Sequence, residues 1–223
     1  MNLPISDRLL ACCRFIRPGD RVADIGCDHG YLGIHLLNSG IASAVIASDV
    51  RPGPLQSAIL NARKYGAADR MRFYLSDGVQ NIPRDFDALV CAGMGGDTMI
   101  AILSAAPWLQ AESYRLILQC QSKTSMLRQY LSESGWRIAR ESVLRDGRFL
   151  YTVMEVLWQP DAPRLTPAQC YFPPVLERTP VAEEYRQWVI GGLRIATAHK
   201  DDPEKRQILQ ELEQIDPFQE ETL

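Results

Sequence analysis

Residues 22–30 read Val-Ala-Asp-Ile-Gly-Cys-Asp-His-Gly, and Tyr31 to Asn38 follow with helical spacing up to Gly40. Val22 to Ile25 form a short buried strand closed by Gly26, so the segment predicts strand, glycine turn, helix. A turn of this kind lets a ligand approach the backbone at the C-terminal edge of a sheet. A dinucleotide-binding turn needs a second glycine where Asp28 stands, because the pyrophosphate must touch the main chain. A carboxylate there repels phosphate. It suits a phosphate-free cation instead, and S-adenosylmethionine carries both a sulfonium and an ammonium. Asp24 and Asp28 are therefore expected to face the methionine end, with Gly26, His29 and Gly30 completing the loop. The plain alternative is a pair of turn-forming aspartates with no ligand.

The neighbouring sequence repeats the alternation. Ser6 caps a first helix that carries Leu9, Leu10, Cys13 and Ile16 on one face and ends at Pro18-Gly19. Further strands are predicted at Ala44 to Ser48, Arg72 to Leu75, Ala88 to Ala92 and Arg115 to Leu118. Helices are predicted from about Pro54 to Tyr65, Thr98 to Ala105 and Thr124 to Ser134. Short continuous apolar strands separated by helices imply a parallel sheet covered on both faces. The pattern then switches: Trp136 to Leu144 and Phe149 to Trp158 flank an Asp146-Gly147 turn and read as an antiparallel hairpin. Nucleotide-dependent dehydrogenases usually continue with parallel units, whereas the methyltransferase version of this fold ends in such a hairpin. The predicted class is α/β, a Rossmann-like class I methyltransferase sheet ending in an antiparallel hairpin.

Residues 1–159 make up this domain. Residues 160–223 are expected to be a proline-rich extended linker and a C-terminal helical arm. Tyr185, Trp188, Val189, Gly192 and Ile195 mark one amphipathic helix. Asp202-Pro203 start another, with Ile208, Leu209, Leu212 and Ile215 as its stripe. The pair either forms a coiled-coil-like arm or covers the domain.

Charge is distributed unevenly. The whole chain of 223 residues has a net charge of -3, but residues 1–158 hold 17 basic and 15 acidic side chains and the remainder 7 and 12. The acidity sits in the tail, so the total does not argue against a nucleic-acid substrate. Six scattered cysteines and three histidines offer neither a Cys-x-x-Cys pair nor a zinc set, so no metal is expected and the thiols read as reduced. Asp7, Arg8 and Arg14 interrupt any signal-peptide core, and the longest apolar run, Thr98 to Leu109, is too short to span a bilayer. The expectation is a cytoplasmic protein without membrane contact; a monomer is the working assembly.

More candidates lie at successive strand ends. Asp49 stands where ribose hydroxyls are held, and Asp77-Gly78 where a carboxylate can accept an adenine amine proton. After the fourth strand comes Gly93-Met94-Gly95-Gly96, without the Asp/Asn-Pro-Pro motif common where exocyclic amines are methylated. Bare backbone plus Met94 suits a flat ring pressed against the methyl donor. It points to a nucleophile that already owns a lone pair, such as a ring nitrogen. Tight turns without ligands are the alternative reading of each.

Together LPISDRLL (3–10), ADIGCDHGYL, SDV-x-x-GPL, LSDG and AGMGG, with the tail segment PPVLERTPVAEEYRQW, resemble the TrmK family of bacterial tRNA (adenine-22-N1) methyltransferases. The resemblance implies S-adenosylmethionine as cofactor and tRNA as partner. It places Gly26, Asp28, His29, Asp49, Asp77 and Gly78 at the cofactor, and Asp7, Arg8, Tyr31 and the Gly93 to Gly96 loop toward the substrate. Where family members often have Ser-Asp-His-Ala, this chain has Cys27-Asp28-His29-Gly30; where they often have Gln-Pro-Asn after the fifth strand, it has Gln119-Cys120-Gln121. Gln121 retains an amide facing the substrate.

The expected chemistry is in-line attack by adenine N1, catalysed mainly by positioning. Asp28 can stabilise the cationic product, while Asp7 orients Arg8. His29 is either a general base or a structural loop residue, and Tyr31 either stacks on a base or orients the cofactor. Phosphate contacts are expected from the basic band Arg115, Lys123, Arg128, Arg137, Arg140, Arg145 and Arg148, with Arg145 and Arg148 foremost. Two other readings stay open: a methyltransferase for a small molecule or protein, and a cofactor-binding module without catalysis.

Overall fold

The computed structural model describes residues 3–199 and 201–214. Seven strands form one sheet in the order β3-β2-β1-β4-β5-β7-β6. β1 (Asp20–Ile25), β2 (Ala42–Asp49), β3 (Met71–Leu75), β4 (Ala88–Gly95) and β5 (Arg115–Ser122) are parallel. β6 (Trp136–Asp146) and β7 (Phe149–Trp158) form the antiparallel hairpin, with β7 paired to β5. The order reverses between β1 and β4, the topological switch point at which open α/β sheets bind ligands.

One face of the sheet packs on α1 (Asp7–Cys13), α2 (Tyr31–Asn38) and α3 (Pro52–Lys64), through a core that includes Phe15, Val22, Leu36, Val45 and Val90. The other packs on α4 (Gly96–Ser104) and α5 (Thr124–Glu133), around Leu89, Met99, Leu116, Leu118 and Leu127. Ser6 caps α1, its hydroxyl accepting the Leu9 N–H at 3.4 Å.

β3 and β4 are joined by turns with no α-helix among residues 76–87. Three expectations change. β4 continues through Gly95 with irregular register at Ala92 to Gly95, so the expected glycine loop is a bulged strand end. Gln119-Cys120-Gln121 likewise belongs to β5, because β4 and β7 both supply ladder partners there. The proline-rich stretch is not wholly extended: Thr166 and Gln169 form a capping box that starts α6 (Pro167–Tyr171).

Of the last two helices, α7 (Pro180–His199) packs on β6 of the outer hairpin, and α8 (Pro203–Gln214) packs on α7 and α6. Their third core joins Tyr185, Val189, Ile190, Leu193, Ile208 and Leu212 to Val143 and Leu150. They cover the domain. Asp202 caps α8 by accepting the Lys205 N–H at 3.1 Å, and Ile215 lies outside the described residues. Fully buried Arg128 makes the central tie: it donates to Glu141 of β6 at 2.7 and 3.1 Å, to the Cys170 and Tyr171 carbonyls at 2.9 Å each, and to the Tyr185 hydroxyl at 3.4 Å.

Candidate active site

A cleft of about 630 Å³ opens at the C-terminal ends of β1 to β4, lined by Asp24, Gly26, Asp28, Asp49, Asp77, Gly78, Gly93 and Met94 among others. It thus gathers most of the residues expected at a cofactor. Asp24 lies at its base, 3% exposed, and its Oδ2 has no hydrogen-bond partner. Burial pushes the Asp24 carboxyl up to about 7, partly opposed by the Gly33 amide and reinforced by the nearby Asp49 charge. A dehydrated, half-satisfied carboxylate facing a cleft is a ready counter-ion for a ligand cation.

Asp49 ends β2 and is held from two sides. Its Oδ2 accepts the Asp28 N–H at 3.2 Å and its Oδ1 the Arg51 N–H at 2.9 Å. Those bonds pin the turn after β1, where Asp28 takes a positive φ of 49° and presents its half-exposed side chain to the cleft. The Asp77-Gly78 turn is fixed by buried Ser76, whose hydroxyl donates to the Gly78 carbonyl at 3.0 Å and accepts the Asn81 N–H at 3.1 Å. Val50, Val79, Ala101, Ile102 and Ala105 add an apolar wall beside these acids, and a methyl group on Gly78 would lie 3.1 Å from Ile102. A narrow apolar slot ending in a carboxylate accepts a flat ring carrying an amine.

At the opposite end, Gly93 has φ of 80° and its N–H donates to Oε1 of buried Gln119 at 2.9 Å. A Cβ on Gly93 would stand 3.6 Å from Gln121 Nε2 and 3.9 Å from Arg8 Nη2. The bare backbone, Arg8 and Gln121 thus meet at one mouth of the cleft. The Arg8 guanidinium lies 5.8 Å from the Tyr151 ring centre, and its buried Nε has no hydrogen-bond partner.

Other expected residues sit elsewhere. His29, Gly30, Asp7, Tyr31, Gly95 and Gly96 do not line the cleft. His29 and Tyr31 stack on each other, 5.7 Å between ring centres, outside it. Asp7 is exposed in the first turn of α1, and no ion pair joins it to Arg8. Gly96 is buried at the start of α4, where a Cβ would fall 2.6 Å from the Lys123 carbonyl: it serves helix packing, not substrate approach. Gly95 caps that helix beside Asp97 and Ser122.

The basic band is also largely neutralised. Arg115 is buried with Asp20 and Glu155, Arg128 with Glu141, and Arg140, Lys123 and Arg145 pair with Glu155, Asp97 and Glu184. Arg145 thus meets Glu184 of α7 at the surface. Arg148 remains exposed at the hairpin turn, over the Phe149 ring. Sequence reasoning missed Ser76, Val50 and Ile102 and gave Gln119 no role of its own. Ser76 had a signal, a hydroxyl just before Asp-Gly; the others are single residues that acquire meaning only through the partner they face.

No helix is long and apolar enough to cross a membrane, and among the described residues no group of three or more His, Cys, Asp or Glu could hold a metal ion.

The 3-2-1-4-5-7-6 sheet with an acidic, phosphate-averse cleft at its switch point defines a Rossmann-like methyltransferase domain. Residues 5–154 match the protein family described as "Methyltransferase domain". A tRNA (adenine(22)-N(1))-methyltransferase of Bacillus subtilis is 31% identical over 154 residues, which is 69% of this chain and 65% of that protein. The crystal structure of that species' M1A22 tRNA methyltransferase TrmK superposes with a TM-score of 0.79 at 27% identity, over 95% of both chains. A putative tRNA (m1A22) methyltransferase of Streptococcus pneumoniae superposes with a TM-score of 0.82 at 30% identity, over 93% of this chain and 96% of its own. Its complex with S-adenosyl-L-methionine gives 0.83 at 28% identity, over 93% and 99%. The chain belongs to the TrmK family of methyltransferases. Its sequence alignments span 61–65% of the length of the curated relatives first matched.

Proposed function

We propose that the chain transfers a methyl group from S-adenosylmethionine to N1 of an adenine in tRNA, with adenine 22 as the target. The observation that carries this reading is the buried Asp24 carboxyl, whose Oδ2 has no protein partner at the base of a cleft that also carries Asp28, Asp49 and Asp77. The cofactor's chemistry fits the donor set: when bound, it supplies an electrophilic methyl group on a cationic sulfur. Asp24 would hold the ammonium, Asp49 the ribose hydroxyls, and Asp77 the adenine amine, with Val50, Val79 and Ile102 around the ring.

On the substrate side, the Gly93 to Met94 backbone leaves room for a flat base, and Arg8 and Gln121 border it. The acceptor adenine must leave its stack to enter, at a cost of a few kcal/mol. The N1 lone pair attacks, so no base is needed for the bond-forming step, and positioning supplies most of the acceleration. The cationic methyladenine is then stabilised by the nearby carboxylate of Asp28. The enzyme is proposed to act in the cytoplasm as a monomer.

The test is methyl transfer from labelled S-adenosylmethionine to unmodified tRNA transcripts, with nucleoside mass spectrometry for 1-methyladenosine and primer extension to locate it. A stop at position 22 that vanishes with Asp28→Ala supports the proposal. Label in protein, or none in tRNA, rejects it.

A further inference from the structure

A second depression of about 300 Å³ lies beside the mouth of the cleft, between the end of β5, β7, Tyr171 of α6, and α7. The two adjoin. Gly93 of the cleft faces Gln121 of the groove, and Arg8 of the cleft lies over Tyr151 of the groove. Two features of the groove are left unsatisfied by the fold. Trp188 is 66% exposed, and the hydroxyl of Thr152, a residue 1% exposed, has no hydrogen-bond partner.

We propose that this groove binds a second, unstacked nucleobase of the substrate RNA, next in space to the adenine that enters the cleft. This deepens the function proposed above and rests on it. RNA is read where splayed bases stack on aromatic side chains and hydrogen-bond through their edges, and the groove offers both elements. Trp188 supplies the stacking face. It is held in place by stacking on Tyr185, with ring centres 5.9 Å apart and 29° between planes. Tyr185 is itself buried and fixed by the Arg128 guanidinium. The platform is therefore held on one face, which lowers the ordering cost that a base meets there.

Thr152 supplies the polar edge. A hydroxyl has one proton to give and lone pairs to accept, so it can meet either a ring nitrogen or an exocyclic amine. Gly192 contributes no side chain to the wall, and a Cβ there would touch nothing, so the groove stays open along α7. The occupant follows from position: any base that reaches the cleft brings its strand neighbours to this rim. A peptide gains little from the orphaned hydroxyl and has no reason to lie beside Gly93.

The test uses the full chain and a fluorescent, unmodified tRNA transcript. Trp188→Ala is expected to weaken RNA binding and raise KM for RNA about tenfold, in line with the loss of one base–aromatic stack. Trp188→Phe keeps a stacking face and should stay within about threefold of the parent. Thr152→Val, which removes only the hydroxyl, should also raise KM for RNA. The thermal shift given by S-adenosylmethionine should be the same in all four proteins, which shows that the cleft is intact. RNA affinity unchanged in Trp188→Ala, or equal losses in Trp188→Ala and Trp188→Phe, overturns the groove while leaving the methyltransferase reading in place. A parent protein that methylates protein in place of tRNA overturns both.

Discussion

Replacing Asp24 with Asn tests the logic of the cleft directly. The substitution keeps shape and removes charge. In the folded protein without ligand, burial holds the Asp24 carboxyl at about 7, against 3.8 for an unburied group. The native state therefore binds the proton more tightly than the unfolded chain. Stability is lost as pH rises from about 4 to about 7, then levels off. The full difference corresponds to about 4 kcal/mol, a ceiling because water entering the open cleft relieves part of it. Asp24→Asn escapes this cost. Its melting temperature should match the parent's below about pH 4 and exceed it at pH 8, by up to on the order of 10 °C for a domain of this size. The same substitution removes a charged partner for the cofactor ammonium and should weaken S-adenosylmethionine binding roughly 10- to 100-fold. Parent affinity should fall about tenfold per pH unit below 7, as Asp24 takes up a proton, while the variant's remains flat. The assay is thermal melting from pH 4 to 8.5, with and without cofactor, plus calorimetry of binding. A variant less stable than the parent at pH 8, or one that binds cofactor as well as the parent, refutes the reasoning.

Removing Arg128 alone should be severe: Arg128→Met leaves Glu141 buried without a partner and should cost about 3–5 kcal/mol in urea denaturation, whereas Arg128→Met with Glu141→Leu should recover most of it. Gly96→Ala forces a methyl group to within 2.6 Å of the Lys123 carbonyl and should destabilise by about 1–3 kcal/mol, read from the denaturation midpoint at unchanged slope. Burial pushes the thiols of Cys13 and Cys91 up to about 12 and raises that of Cys27 as well. Native protein at pH 7.5 should then resist iodoacetamide, with labelling appearing only on unfolding.

The parallel sheet and the cleft acids were legible because each rests on a local signal. Val22 to Ile25 is a mostly apolar run closed by glycine, Asp49 ends β2, and Asp77 follows the end of β3 by two residues. Residues whose role depends on a distant partner were not legible. Gln119 matters because it holds the Gly93 amide across two strands, and nothing in its neighbourhood of sequence announces that. Arg115 and Arg128 read as surface cations, since an arginine's burial depends on an acid elsewhere: Asp20 lies 95 residues away from the first, and Glu141 is turned inward by the hairpin toward the second. Glycines misled in the same way. Gly93 and Gly96 are three residues apart in one motif, yet one opens the cleft while the other lets α4 approach α5.

The Arg128 tie also sets an order in time. During synthesis the sheet can assemble from the N-terminus as strands emerge. The side chain at position 128, however, finds its carbonyl partners only when residues 170 and 171 arrive, and its hydroxyl partner only at residue 185. Until then Glu141 alone satisfies the guanidinium, so closing the hairpin and α5 over it carries the cost of desolvating its remaining N–H donors. The last layer of the fold is thus a checkpoint. A nascent chain stalled before α7 should be protease-sensitive at α5 and the hairpin, and become resistant only when that helix docks.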